Sequence, residues 1–127
     1  MAISIWCIVI ACLLPYLWIV IAKCKKGYLA HNHAPRLFLQ KLHGYRQRAH
    51  WASQNSFEAL PIFVAAILSA HILGNINLST LNMLAISYLI FRVIYGVLYL
   101  LNLATLRSLA WTIALVINIV IFLIPLI

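Results

Sequence analysis

Four long apolar runs separated by polar stretches set the pattern of this chain. Residues 3–22 are apolar almost throughout, and about 20 such residues span a bilayer as a helix. Residues 48–73, 81–101 and 108–127 predict three further spans. Pro15 falls inside the first run and should bend it. Trp6 and Trp18 lie toward its ends, where aromatic belts form. A secretory leader would carry its basic residues ahead of the apolar run; here they follow it, which favours a span. The one long connection, residues 23–47, holds Gly27, Pro35 and Gly44, and Pro35 predicts a short helical turn. The other two connections, 74–79 and 102–107, are short. Asn77-Leu78-Ser79 is a formal glycosylation sequon, but it sits too close to the bilayer to carry weight.

Composition turns this pattern into a class. The 127 residues are 66% hydrophobic and 8% charged, and a soluble domain of that size cannot bury so much apolar surface. The expectation is an all-α integral membrane protein, residues 1–127 forming a single four-helix domain. Its net charge of +8 does not imply a nucleic-acid partner, because seven of the nine basic residues lie from Lys23 to Arg48. A juxtamembrane cluster of that kind attracts anionic lipid headgroups. The second connection and both ends carry no charged side chain. The positive-inside rule therefore predicts cytoplasmic first and third loops, with both termini on the opposite side. Cys7 and Cys12 read as core residues and Cys24 as a free thiol. His31 and His33 have no carboxylate or thiolate placed with them, so no metal site is expected.

The polar residues inside the spans carry the candidate chemistry. Glu58 is the only acidic residue in the chain and lies within the second apolar run, where an ionisable group points to function. Arg48, Asn55 and Glu58 fall within about 80° of one another on a helix, with Ala52 beside them. Tyr88, Arg92, Tyr95, Tyr99 and Asn102 make a narrow stripe on the third span, and Arg107, Trp111 and Asn118 share a face of the fourth. Counted from the cytoplasmic helix ends, Glu58 and Arg92 both lie roughly 15 Å deep. The sequence thus predicts that they neutralise one another. Pro61 frees the carbonyl of Phe57 and loosens the helix beside Glu58. A Glu58–Arg92 pair alone would do no more than join two helices. The surplus of guanidinium and hydroxyl groups over one carboxylate fits instead a small zwitterionic or acidic ligand.

Two blocks of residues resemble a known family. Arg48, Asn55, Glu58 and Pro61 form an Arg-x6-Asn-x2-Glu-x2-Pro pattern, and Arg92, Tyr95 and Tyr99 form Arg-x2-Tyr-x3-Tyr, with Arg107 heading the last span. These resemble the MAPEG family, membrane-associated proteins in eicosanoid and glutathione metabolism, over essentially the whole chain. The resemblance implies a four-helix bundle assembled as a homotrimer, with glutathione as co-substrate bound between subunits near the cytoplasmic face. By position it implies glutathione contacts at Asn55, Glu58, Arg92, Tyr95 and Tyr99, further contacts at Arg48 and Lys23, and thiolate stabilisation by Arg107. Trp51 stands where several members carry a second arginine, and Arg107 lies one residue further from Tyr99 than in the eukaryotic pattern. With nothing after its fourth span, the chain resembles the bacterial branch, which implies a bacterial inner membrane.

The activity implied is that of a glutathione transferase or peroxidase acting on lipophilic electrophiles or lipid hydroperoxides that arrive through the bilayer. Two other readings remain open from the residues. One is a non-catalytic member of the same fold. The other is a small proton-coupled multidrug transporter using Glu58, although in that class the glutamate lies in the first span.

Overall fold

The computed structural model describes residues 2–24 and 28–127; Lys25, Lys26 and Gly27 of the basic cluster lie outside the described residues. The elements are α1 (Ile3–Lys23), α2 (Pro35–Gln40), α3 (Gly44–Leu73), α4 (Leu78–Leu100) and α5 (Ala104–Leu123), with 3-10 turns at Tyr28–His31 and Ile124–Leu126. No strand occurs among the described residues. Helices α1, α3 and α4, and α5 with the turn that follows it, are each long and apolar enough to cross a membrane. The architecture is therefore an all-helical, four-span membrane fold.

Local chemistry explains where the helices stop. Helix α3 starts at Gly44, earlier than the apolar run, because Arg46, Gln47 and Arg48 are good helix formers with nothing to break them. It stops at Gly74, whose φ of 70° is left-handed and strains any residue with a Cβ. Asn77 caps α4, its side chain accepting a hydrogen bond from the Ser79 N–H at 2.8 Å, so the sequon asparagine is engaged as a helix cap. Asn102, expected on the α4 stripe, instead lies beyond the helix end in the turn to α5, with φ 61°. Pro15 and Pro61 are both accommodated inside continuous helices. Pro35 occupies the first turn of α2, where its missing N–H costs no helix bond.

Helix α1 packs along α3 and α5 along α4, while α3 and α4 meet in the middle of the bundle. Hydrogen bonds mark the two ends. At one end the Ser4 N–H donates to Asn82 Oδ1 at 2.9 Å and Ser4 Oγ lies 2.9 Å from His71 Nε2. Nearby in the fold, Asn75 Nδ2 donates to the Pro125 carbonyl at 3.3 Å. At the other end Arg48 binds the last carbonyl of α4.

Lipid tails are as apolar as leucine, so helices in a membrane associate through close packing and polar ties. Both are present. Ala52, Ala66 and Ala70 of α3, Ala85 of α4 and Ala114 of α5 are buried. Ser53 Oγ donates to the Pro15 carbonyl at 2.8 Å, joining α3 to α1. Trp18 corrects the aromatic-belt expectation: Trp6 is exposed, but Trp18 is 3% exposed and lies in the core. The reason is Gly96 on α4, since any Cβ there would collide with the Trp18 indole. The missing side chain admits the ring, and the ring sets how closely α1 approaches α4.

Gly96→Leu should destabilise the bundle by at least about 1–3 kcal/mol through overpacking. Combined with Trp18→Ala its cost should fall, so that the two are less than additive. Thermal unfolding in detergent of both single variants and the double variant measures this.

Candidate functional site

The site is built around Arg92, which α4 carries into the interface with α3. The side chain is 3% exposed. Its Nη2 donates to Asn55 Oδ1 at 2.9 Å and to Ser56 Oγ at 3.4 Å. The guanidinium carbon lies 4.6 Å from the centroid of the Tyr95 ring, where a cation is attracted to the ring face. Ser56 donates its own proton to the Ala52 carbonyl at 2.8 Å, which leaves its lone pairs for Arg92. A cation out of water needs such partners, because burial without them costs several kcal/mol.

The expected Glu58–Arg92 pair is not formed. Arg92 is met by Asn55, one turn earlier on α3, and the partner is a neutral amide. Glu58 makes no hydrogen bond or ion pair among the described residues and is exposed on the flank of the bundle. Both side chains nevertheless line one cavity. Rotation about the helix axis decided which of the two α3 residues reached the guanidinium.

Three cavities meet at Asn55. One, of about 150 Å³, runs between α3, α4 and α5 and is lined by Glu58, Arg92, Tyr88, Trp111 and Asn118 among others. A second reaches the start of α5 along Tyr95, Tyr99, Arg107 and Trp111. A third opens on the flank beside Trp51, Gln54, Glu58, Tyr95 and Tyr99. Shared walls make them one branched groove.

Aromatic contacts hold the upper walls. Tyr95 and Tyr99 meet edge to face, with centroids 5.6 Å apart, and Trp51 lies 6.3 Å from Tyr99. The Arg107 guanidinium carbon lies 4.2 Å from the Tyr99 ring centroid. Arg107 stands in the first turn of α5, where the positive end of the helix dipole adds to its own charge. Two guanidiniums against one carboxylate leave the groove net positive, so it can hold an anion. The unpaired carboxylate of Glu58 offers a place for an ammonium group.

Of the residues singled out in the sequence, the fold thus brings Asn55, Glu58, Arg92, Tyr95, Tyr99 and Arg107 together. It places two elsewhere. Arg48 donates from Nε at 3.1 Å and from Nη2 at 2.9 Å to the Leu100 carbonyl, closing the C-terminus of α4. Lys23 stands 5.0 Å from the Tyr28 ring, beside the first loop. Neither lines the groove. Tyr88, Trp111 and Asn118 are wall residues beyond those singled out as ligand contacts, and Ser56 is a further partner of Arg92 behind the wall. The shared face of Arg107, Trp111 and Asn118 was a usable signal for two of them, whereas nothing in the sequence marked Ser56 as a partner of Arg92.

The family assignment agrees with this site. The sequence pattern of the MAPEG family matches residues 3–127. The chain belongs to the MAPEG family. It is accordingly an integral, multi-pass membrane protein of a family of glutathione and eicosanoid metabolism, whose members generally use glutathione. No curated protein and no solved structure matches the chain.

The hydrogen bonds lead to a contrast between neighbours on α3. Asn55→Leu should cost about 1.5–3 kcal/mol, because it strips a buried cation of an acceptor. Glu58→Gln should leave the melting temperature almost unchanged. Arg48→Ala should cost about 1.5–3 kcal/mol through loss of the tie to Leu100. Unfolding midpoints in one detergent rank the three.

Proposed function

We propose that this MAPEG-family chain is a membrane-bound glutathione-dependent transferase or peroxidase acting on lipophilic electrophiles or lipid hydroperoxides. The observation that carries this reading is the groove centred on Asn55. It offers an unpaired carboxylate at Glu58, a buried guanidinium at Arg92 and a second guanidinium at Arg107, on three helices around cavities that meet at Asn55. Glutathione is an anion with one ammonium group and a thiol, and each has a complement there. Glu58 meets the ammonium. Arg92, Asn55, Tyr95 and Tyr99 supply donors and aromatic walls.

Arg107 carries the chemistry. A thiol ionises near about 8.5, so at neutral pH little of it is thiolate. A fixed cation in a site partly shielded from water favours the charged form and supplies the nucleophile. The sulfur then attacks an electrophilic carbon and the leaving group departs. With a hydroperoxide it attacks the terminal oxygen, forming S–O as O–O breaks; the alkoxide takes a proton and leaves as an alcohol, and a second glutathione thiol converts the sulfenic acid to the disulfide with loss of water. The electrophile reaches the groove from the bilayer. In this reading the first and third loops face the cytoplasm of a bacterial inner membrane. Neighbouring copies in a homotrimer close the exposed flank where Glu58, Trp51 and Trp111 stand. Arg48 and Lys23 act at the helix ends, as basic groups near the glutathione carboxylates.

Two observations favour the non-catalytic alternative. Two donors of Arg48 are already held by the Leu100 carbonyl, and Trp51, not an arginine, flanks the groove. A proton-coupled exporter fits less well, because two guanidiniums on the groove repel a cationic drug.

Calorimetry with glutathione and the ultraviolet thiolate band at saturation test the enzyme reading. Binding and a thiolate band at neutral pH are expected. Arg107→Ala should bind glutathione and lose the band, and Glu58→Gln should bind about tenfold more weakly, as for one lost charged hydrogen bond. Binding without a thiolate band in the unaltered protein would favour the non-catalytic member, and no binding at millimolar glutathione would defeat the enzyme reading.

A further inference from the structure

The lower end of the groove holds polar groups that glutathione chemistry does not use. Asn118 on α5 is 3% exposed, and its Oδ1 is buried without a hydrogen-bond partner. The side chain makes no hydrogen bond among the described residues. An unanswered polar group in an apolar interior costs about 1–3 kcal/mol, and a leucine would pack α5 without that cost. Asn118 does not face solid protein, however. It lines the cavity of about 150 Å³ that also contains Tyr88. Tyr88 is 4% exposed and its ring stacks on Phe63 with centroids 4.1 Å apart. Its hydroxyl makes no hydrogen bond among the described residues, Arg92 being a charged neighbour and not a hydrogen-bond partner.

We propose that Asn118 and Tyr88 form a polar subsite deep in the membrane that takes a neutral hydroxyl carried by an otherwise apolar co-substrate. This rests on the glutathione reading of the groove above it. An amide and a phenol together offer donors and an acceptor, and a hydroxyl answers both by donating to one and accepting from the other. This cavity carries one charge of each sign, Glu58 and Arg92, so by itself it has no net preference for an ion, and Asn118 and Tyr88 are neutral. Apart from Asn55, which is engaged by Arg92, the remaining walls are apolar or aromatic, including Ile62, Ala114 and Leu115, as suits a hydrocarbon chain with a single polar group.

Depth separates this hydroxyl from the reacting atom. Asn118 follows Arg107 by 11 residues on one continuous helix, about 16 Å along the axis. A group held at Asn118 is therefore remote from a sulfur held at Arg107. The subsite selects the co-substrate and sets how far it enters, and it takes no part in bond making. Asn118 and Tyr88 are specificity residues.

The probes are methyl ricinoleate and methyl oleate, chains that differ by one hydroxyl. Each is titrated into the full-length protein in nanodiscs, with tryptophan fluorescence as the readout because Trp111 lines the cavity. Trp111→Phe identifies the signal. The hydroxylated ester should bind about tenfold more tightly, and Asn118→Leu should reduce that preference to within about twofold. Tyr88→Phe keeps the ring stack, deletes only the hydroxyl, and should lower the preference at least about threefold. It also serves as the test if Asn118→Leu does not fold. No preference in the unaltered protein, as when the cavity holds only trapped water, would overturn the proposal. So would a preference that survives either substitution. Calorimetry with glutathione is run on the same samples. A hydroxyl preference without glutathione binding leaves the subsite standing and removes the co-substrate reading. Glutathione binding without a preference removes the subsite alone.

Discussion

A guanidinium between membrane helices must find acceptors inside the protein, and the way Arg92 finds them organises this bundle. Its partners come from two consecutive residues of α3, Asn55 and Ser56, and from the ring of Tyr95 on its own helix. All three are neutral. The arrangement fixes the rotation of α3 against α4, because only one orientation presents both acceptors to Nη2. It also has a consequence for Glu58. A carboxylate that had met Arg92 would have been consumed by the fold. Since an amide does that work, the only acidic side chain in the chain stays at the edge of the groove with its charge available.

The rest of the bundle keeps that interface in register. Arg48 holds the end of α4 through the Leu100 carbonyl. Ser4, His71 and Asn82 hold the opposite end. Between them the Trp18 indole lies in the space left by Gly96, and Ser53 reaches the Pro15 carbonyl. These contacts are spread along the helices and involve few charges, which suits a medium that gives no hydrophobic reward for burying leucine against leucine. Helix α5 is held mainly by α4. Its inner face, with Arg107, Trp111 and Asn118, is left to line a cavity instead of filling it.

The groove therefore has a graded character. Near the start of α5 it is positive and aromatic, as suits a charged thiol. Along the flank it offers the free carboxylate. At depth it becomes apolar with two neutral polar groups. A hydrophilic co-substrate entering from the loop side and a lipophilic one entering from the bilayer would meet along this gradient.

The sequence by itself determined the class, the four spans and the family. Hydrophobic runs of bilayer length and the clustering of basic residues depend only on composition along the chain. The spacings of Arg48, Asn55, Glu58 and Pro61, and of Arg92, Tyr95 and Tyr99, are properties of single helices. Helical periodicity also put Asn55 and Glu58 on one face, and counting residues put Glu58 and Arg92 at one depth. The tertiary structure decided what periodicity within one helix cannot contain, namely how neighbouring helices are turned toward each other. The packing of α3 against α4 made Asn55, about 60° around and nearly one turn along the helix from Glu58, the partner of Arg92. Packing turned Arg48 from the groove to the end of α4 and brought Trp18 from a lipid belt into the core. It also left Asn118 facing a cavity without a partner. Each depends on the relative rotation of two helices about their axes, and that angle is set by packing across the whole interface.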